Sequence, residues 1–305
     1  MLASKTHKTK ALFALGWVSL IWGTTWLASK EGIRNMPALQ LAGIRQVIAG
    51  VLYIAFFMIK KEAFPKGRQW RAILILAFLN FMLSNALSTW GVKYISSGLG
   101  AIMAAIFPLW LAIITMVQGG RIPRQALIGL LLGFGGVCIV FYEHLADFLD
   151  PTFRLGILLS LSATISWAFG TLYIKKQAQH FNPYFSLGFQ MLISGIVLLT
   201  GIHFTGNDIS LSSITPFSWW SIAYLIVFGS IFTFVAYIYS LQYLPTALAS
   251  VYAYINPIVA VLLGALLVGE KLTMFIAIGG ATTIVGVYLV NNSLKKQTIP
   301  EELVT

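Results

Sequence analysis

Apolar residues along this chain are gathered into ten long runs, and short polar segments separate the runs. A helix needs roughly 20 apolar residues to cross the hydrocarbon layer of a membrane, and runs of about 17 still suffice. The pattern therefore predicts an all-α integral membrane protein with ten transmembrane helices, numbered one to ten in chain order. The predicted helices are residues 11–29, 38–59, 72–91, 97–117, 126–142, 155–174, 184–202, 219–241, 247–268 and 275–290.

The composition agrees with a membrane protein. Hydrophobic residues make up 58% of the 305 residues and charged residues only 10%, and the mean hydropathy is +0.84. A soluble domain carries about 25% charged residues, so this chain could not cover a surface that faces water. The single cysteine, Cys138, excludes an internal disulfide and a multi-cysteine metal site. We expect no metal and no cofactor.

The basic residues predict how the helices are oriented. If the N-terminus is cytoplasmic and the chain crosses ten times, 14 Lys and Arg residues lie on the cytoplasmic side and five on the other. This asymmetry follows the positive-inside rule and predicts that both termini are cytoplasmic. The basic residues are spread over short loops and form no continuous stripe, so we expect membrane lipid and no nucleic acid as partner.

The two halves of the chain resemble each other. The segment from Tyr94 to Pro108 recurs at Tyr243 to Pro257, 149 residues later, and Trp22 recurs as Trp167. Each half holds five predicted helices, an odd number, so the second copy must be inverted relative to the first, as in many secondary transporters. The predicted organisation is a cytoplasmic tail (1–10), a first repeat (11–142), a linker loop (143–154), a second repeat (155–291) and a cytoplasmic tail (292–305).

Proline interrupts helices four and nine at matching places, Pro108 and Pro257. A proline inside a helix removes one backbone hydrogen bond and bends the helix. Paired interruptions of this kind point to the binding site and the gates of a transporter. The alternative is that both prolines only kink their helices to fit the packing.

Several short motifs, in this order and spacing, resemble the EamA-type transporters of the drug/metabolite transporter superfamily. They are Trp22-Gly23-Thr24 in helix one, Arg45 in helix two, Pro108 and Pro257 with their small neighbours, and Gly269-Glu270 after helix nine. The resemblance covers residues 11–291 and implies an inner-membrane carrier that works by alternating access. Such carriers often export amino acids or other small metabolites. The second half lacks the glycine after Trp167 and a charged counterpart of Arg45, so we expect an asymmetric site.

Two polar stripes carry candidate binding residues. Asn80, Ser84 and Ser88 lie on one face of helix three, and Thr233 and Tyr237 occupy the matching positions of helix eight. Either the stripes line a cavity, or they only let neighbouring helices approach and bond to each other.

Aromatic residues and one arginine complete the candidates. Trp22, Trp90 and Trp167 can stack on a substrate or close a gate, and Tyr252 and Asn256 share one face beside Pro257. Arg45 lies deep in helix two, where a charge is costly and marks either a pathway or a structural pair. It binds an anionic group such as an amino-acid carboxylate, or it is structural. The full candidate set is Trp22, Thr24, Arg45, Asn80, Ser84, Ser88, Trp90, Trp167, Thr233, Tyr237, Tyr252 and Asn256, with Pro108 and Pro257 as gating positions.

Catalytic motifs are not found in this sequence, and its four histidines lie in tails, loops or helix ends. The sequence therefore predicts a secondary transporter and no enzyme. We expect a monomer that exports a small-molecule substrate, an amino acid or a similar amphipathic compound. One alternative is a flippase for lipids or lipid-linked carriers from the same superfamily. Another is a membrane scaffold or sensor without transport, which the short loops disfavour.

Overall fold

The structure is a computed structural model that describes residues 5–117, 119, 123–177, 182–244, 246–249 and 251–297. In this part of the chain every regular element is helical. The principal helices are α1 (Lys5–Gly32), α2 (Ala38–Ile59), α3 (Arg68–Gly91), α4 (Ser97–Ala105 and Phe107–Val117), α5 (Arg124–Glu143), α6 (Pro151–Gln177), α7 (Pro183–Phe204), α8 (Pro216–Tyr243), α9 (Thr246–Ala249 and Tyr252–Val268) and α10 (Met274–Gln297).

Within the described residues, each predicted apolar run falls on one of these helices, which confirms the all-helical class there. Eight helices there are long and apolar enough to cross a membrane, and Tyr252–Val268 and Met274–Val290 are shorter apolar helices. The helices also reach into the predicted tails, since α1 begins at Lys5 and α10 ends at Gln297.

Local signals set several helix ends. Proline is the first residue of α6, α7 and α8, where its missing N–H breaks no bond. Asn182 caps α7 by accepting from the backbone N–H groups of Tyr184 and Phe185, at 3.0 and 3.2 Å. Gly269 ends α9 in the left-handed conformation, with φ 69°, which favours glycine.

Packing between the helices is symmetric under exchange of the two halves. Helix α2 packs along α7 and α5 along α10, so these elements meet their own counterparts. Helix α1 packs against α8 and α9, and its counterpart α6 packs against α3 and α4. Both halves therefore contribute to one helix bundle, with α1 and α6 embedded in the opposite half.

Close glycine contacts show the direction of the self-paired helices. A Cβ atom on Gly50 would lie 2.8 Å from the carbonyl oxygen of Gly188, and one on Gly195 would lie 2.9 Å from that of Gly43. Helices α2 and α7 are therefore antiparallel. Since Gly43 and Gly50 match Gly188 and Gly195 at an offset of 145, exchanging the halves maps one contact onto the other. A twofold axis across the helices produces this arrangement, which supports an inverted repeat.

The α5–α10 contact offers a stability test. A Cβ on Gly136 would clash with the backbone of Thr283 and lie 2.5 Å from the carbonyl oxygen of Gly279, whereas one on Gly135 would meet nothing within 4 Å. We expect Gly136→Ala to lower the free energy of unfolding by about 1–3 kcal/mol through overpacking. Gly135→Ala, in the same turn, should be neutral or gain up to about 1 kcal/mol. Thermal unfolding of both variants in detergent measures this, and equal midpoints would contradict the close contact.

Both halves contain a wide helical turn that the sequence pattern did not predict. A π-helical segment occupies Ala77–Asn85 in α3 and Leu225–Phe232 in α8, at matching places of the repeats. Carbonyl groups of the α8 segment accept bonds from Trp22 Nε1 (3.2 Å) and Tyr53 Oη (2.8 Å), and one in the α3 segment accepts from Ser166 Oγ (2.7 Å). Since π segments are rare and concentrate at functional sites, they draw attention to the space beside them.

The two interrupting prolines have different surroundings. Helix α4 is broken at Ile106, so Pro108 falls in the first turn of Phe107–Val117 and leaves no donor missing there. Pro257 lies inside Tyr252–Val268, and α9 continues through it. The matching sequence positions thus give a break in one half and an internal proline in the other. Opposed gating by the two prolines stays a prediction.

Candidate functional site

A cavity of about 140 Å³ lies between the two halves. It begins near the middle of α1, α6 and α8 and extends toward Ser29 at the end of α1 and Val92 just beyond α3. At about 30 Å³ per water in the liquid, it has room for roughly five waters, the scale of a small metabolite. Its lining residues are Trp22, Thr25, Trp26, Ser29, Arg45, Asn80, Ser84, Asn85, Ser88, Thr89, Val92, Ala104, Phe107, Ala163, Thr164, Trp167, Phe234, Tyr252 and Asn256.

Five aromatic side chains close one end of the cavity, and we call them the aromatic floor: Trp22, Trp167, Phe234, Tyr237 and Tyr252. The ring centroid of Trp22 lies 5.0–5.8 Å from those of the other four. Trp167 Nε1 donates to the Tyr252 hydroxyl at 2.9 Å. Edge-to-face contacts of this kind stabilise beyond the area that they bury, so the rings of the floor stabilise one another. Beyond it lies a buried apolar cluster that includes Leu15, Val18 and Ala168.

Arg45 is the only charged side chain among the described residues that line the cavity. It is 4% exposed, and its Nε donates to Ser230 Oγ at 2.7 Å. Its Nη2 lies beside Gly229, where a Cβ atom would approach to 3.6 Å. Both neighbours belong to the π segment of α8. Within the described residues Arg45 forms no salt bridge, and neither Nη atom has a hydrogen bond to protein.

The polar stripe of α3 faces the cavity. Asn80, Ser84 and Ser88 all line it. The Asn80 side chain is buried, and its Oδ1 has no hydrogen-bond partner in the described structure. Ser88 Oγ donates to the carbonyl oxygen of Asn85 at 2.9 Å, which leaves the oxygen lone pairs of Ser88 available. Helix α3 thus presents neutral polar groups.

The matching stripe of α8 packs against α1 instead. Thr233 Oγ1 accepts from Trp17 Nε1 at 3.1 Å and donates to the backbone of Phe228. Tyr237 is buried in the aromatic floor below the cavity. One stripe therefore lines the cavity and the other joins helices, although their sequence spacing is the same.

Two further candidates also lie away from the cavity. Thr24 Oγ1 bonds to the Tyr224 hydroxyl and so links α1 to α8. Trp90 packs beside a buried cluster that includes Ile33 and Leu41. The structure brings the other eight candidates to the cavity: Trp22, Arg45, Asn80, Ser84, Ser88, Trp167, Tyr252 and Asn256.

Asn256 connects the site to α1. In the amide orientation that satisfies both of its polar atoms, its nitrogen donates to the carbonyl oxygen of Ser19 at 2.6 Å. This bond ties α9 to α1 just before Pro257, between the two halves.

Some lining residues are not in the candidate set drawn from the sequence. Thr25, Trp26 and Ser29 follow Trp22 at helical spacing, and Asn85 and Thr89 flank the predicted α3 stripe. The α1 set could have been found by extending the Trp22 face by one more turn. The α3 pair could not have been found in this way, because the π segment changes the rotation per residue, so regular α-helical spacing does not predict which residues of α3 face the cavity.

Comparison with known proteins agrees with this architecture. The model of the EamA-like transporter family matches residues 9–142 and again 154–292. The uncharacterized inner membrane transporter YedA of Escherichia coli K12 is 31% identical over 266 residues, which are 86% of this chain and 83% of that protein. The uncharacterized transporter YvbV of Bacillus subtilis is 25% identical and covers 95% of this chain and 94% of its own length.

Similarity extends to a plant protein and to a solved structure. A chloroplastic WAT1-related protein of Arabidopsis thaliana is 27% identical over 91% of this chain and 69% of its own length. One crystal structure superposes with a TM-score of 0.67 at 16% identity, over 96% of this chain and all of that one. The likeness to that crystal structure concerns the fold alone.

Proposed function

Because this chain belongs to the EamA-like transporter family, whose model matches it twice, we propose that it is a secondary transporter working by alternating access. It moves small metabolites, amino acids or similar amphipathic compounds, outward across the cytoplasmic membrane. The chain is a multi-pass membrane protein of a transporter family, which favours transport over enzymatic catalysis. The inner membrane is the site named for the relative YedA.

The observation that carries the proposal is the cavity between the two halves. It begins at mid-helix depth, it holds polar and aromatic groups together, and the aromatic floor closes one end. Substrate sites of inverted-repeat transporters lie at the interface of the repeats near the membrane midplane. Rocking of the halves about α2–α7 and α5–α10 would then expose the cavity alternately.

We propose that all ten helices cross the membrane, with both termini cytoplasmic and repeats at 11–142 and 155–291. The two matches to the family model and the symmetric packing support this organisation. In this topology the cavity lies on the outer side of the aromatic floor, since Ser29 and Val92 are near outer helix ends. The protein acts as a monomer because one chain supplies the whole cavity.

Labelling of introduced cysteines tests the topology. Cys138 is exposed and is first replaced by alanine. Lys66 and Asn207 are exposed in loops on opposite predicted sides, so each receives a single cysteine. On intact cells a membrane-impermeant thiol reagent should label position 207 and leave position 66 unlabelled until the membrane is broken. Labelling of 66 alone would reverse the assignment.

Reconstitution tests the function. Purified protein in liposomes should accelerate the movement of a small amphipathic metabolite without changing its mass, and empty liposomes serve as the control. Protein-dependent movement of fluorescent lipid between leaflets, with no metabolite movement, would favour a flippase. A product of altered mass would favour an enzyme, and a folded protein that moves neither compound would favour a scaffold.

A further inference from the structure

The cavity holds one positive charge and, among its described lining residues, no negative charge. Resting on the transport function proposed above, we propose that its substrate is an organic anion: a carboxylate or similar acid group on a flat apolar body, without an ammonium group. We further propose that the substrate carries its charge outward across the membrane. Among the small amphipathic metabolites proposed above, this leaves organic acids that carry no ammonium group, and it excludes zwitterionic amino acids.

Arg45 supplies the anion-binding half of the site. A buried guanidinium needs a counter-charge or several hydrogen-bond acceptors, because burial removes its hydration. In the described structure only its Nε has an acceptor, Ser230 Oγ at 2.7 Å, and no carboxylate approaches it. The planar guanidinium can bind a carboxylate through two parallel bonds, one of the strongest polar contacts in proteins. Ser230 in the π segment of α8 positions the guanidinium through the bond to Nε, and Gly229 of the same segment lies beside it.

An ammonium group finds no equivalent partner. The acidic side chains of the described residues lie elsewhere; Glu31 pairs with Arg34 at 3.1 Å, and Glu270 is bound by Ser97 and Gly98. Asn80 Oδ1 is unpaired, but it packs against the backbone of Gly170 and is buried there. The aromatic rings offer only cation–π contacts, and a cation would also meet the uncompensated charge of Arg45.

Aromatic side chains supply the apolar half of the site. Trp22, Trp26 and Trp167 line the cavity together with Phe234 and Tyr252. The carboxyl end of the ligand is therefore placed at α2 and α8, and its apolar body against α1 and α6. The wall of α3 adds hydroxyl and amide groups, which tolerate polar substituents.

Charge transfer follows from this site. A carrier that binds one anion per cycle, with no cavity acid to exchange a proton, moves one negative charge with each substrate molecule. The inside-negative potential then drives export, by about 2.3 kcal/mol per charge per 100 mV, which corresponds to a concentration ratio of roughly 50. The groups that face Arg45 from α8 are the hydroxyl of Ser230 and backbone, and Tyr53 bonds beside them. None is a carboxylate.

Binding of four probes that share a phenylethyl body tests the charge selection. They are 3-phenylpropanoate (anion), L-phenylalanine (zwitterion), 2-phenylethylamine (cation) and 3-phenylpropanamide (neutral). Quenching of tryptophan fluorescence in detergent reports occupancy, since Trp22, Trp26 and Trp167 line the cavity. We expect the anion to bind roughly 10- to 100-fold tighter than each other probe, the range that a charged hydrogen bond gives. Equal or tighter binding of phenylalanine, or no binding of the anion, would overturn the proposal.

Variants assign the preference to Arg45. In Arg45→Gln the anion and the amide should bind equally, while Arg45→Lys should retain a weaker preference because ammonium lacks the planar fork. Gln190→Leu is the matched control, because Gln190 is also 4% exposed, lies at the equivalent place in α7 and does not line the cavity. It should keep the full preference. If Arg45→Gln does not fold, Arg45→Lys decides: an unchanged anion-to-amide ratio there contradicts the assignment.

Transport in vesicles separates this inference from the proposed function. The probe is 2-phenylethanesulfonate, whose permanent charge prevents leakage through lipid as a neutral acid. A potential set by potassium and valinomycin should drive it toward the positive side, and reversing the potential should reverse the movement. Binding of the anions without any transport would contradict the transport function and leave charge selection standing. Transport of phenylalanine that does not depend on the potential would support the transport function and contradict the charge selection.

Discussion

Replacement of Glu270 by alanine is expected to lower the free energy of unfolding by about 2–3 kcal/mol, one of the larger effects for a residue outside the core. Glu270 follows α9 in the second half, yet its carboxylate binds the start of α4 in the first half. One oxygen accepts from Ser97 N at 2.8 Å, and the other accepts from Ser97 Oγ at 2.9 Å and from Gly98 N at 3.2 Å.

The magnitude follows from the kind of bond. A carboxylate at a helix N-terminus satisfies N–H groups that have no partner within the helix, and it interacts favourably with the helix dipole. Hydrogen bonds to a charged group contribute about 1.5–3 kcal/mol each, but three bonds to one carboxylate are not additive. Partial exposure of Glu270 lowers the sum further. Glutamine at this position keeps one acceptor oxygen, so Glu270→Gln should lose about half as much.

Thermal unfolding in detergent measures this prediction. Glu62→Ala is the matched control, because Glu62 is an exposed loop acid whose carboxylate has no bond in the described structure, and its backbone bond to Phe57 does not depend on the side chain. Its unfolding midpoint should equal that of the parent protein. A Glu270→Ala midpoint that also equals the parent's would show that the bond to α4 does not hold the halves together.

Glu270 also shows how far the sequence could lead. Gly269-Glu270 was recognised as a family motif after helix nine, and the left-handed Gly269 explains its glycine. The partner of the carboxylate could not be predicted, because Ser97 is 173 residues away and only the packing of α4 on α9 brings the two together. The matching residue in the first half is Arg121, which lies outside the described residues and carries the opposite charge.

The helices themselves could be predicted because the hydrophobic runs are long and the loops are short. The two polar stripes mark the limit of this reasoning. Helical spacing places Ser84 and Thr233 each on a polar face, but it does not say which neighbour that face meets. Ser84 lines the cavity, whereas Thr233 bonds to Trp17. The π segments could not be predicted from the sequence either, because they widen the helical turn without changing the hydrophobic pattern.

For Arg45 the sequence identified a buried cation and left two alternatives open. Its partner Ser230 is 185 residues away, in a widened turn that no pattern indicated. The structure shows a positioned guanidinium with free donors beside a cavity, which is the arrangement that an anionic ligand requires. The sequence could identify candidate residues at the cavity from their chemistry and their depth in a helix. It could not identify their partners, because tertiary packing brings these together.

Replacement of Trp22 by alanine should destabilise the protein by about 3–5 kcal/mol and open the aromatic floor. The Trp22 ring touches Trp167, Phe234, Tyr237 and Tyr252, and its Nε1 donates to the Gly229 carbonyl oxygen at 3.2 Å. Its removal leaves a hole in the layer that separates the cavity from the buried cluster beyond. Trp22→Phe should lose much less, because it keeps an aromatic ring in the layer and gives up the bond to the π segment.

A cysteine below the floor reports the opening. Ala168 is fully buried in that cluster, so Ala168→Cys in a protein without Cys138 should resist a polar thiol reagent. In the Trp22→Ala background the same cysteine should react, since water reaches it through the gap. Trp220→Ala is the control, because Trp220 is 75% exposed and its loss should change neither stability nor labelling. If Ala168→Cys reacted equally in both backgrounds, Trp22 would not seal the cavity; if it stayed protected in Trp22→Ala, the remaining four rings would suffice to close it.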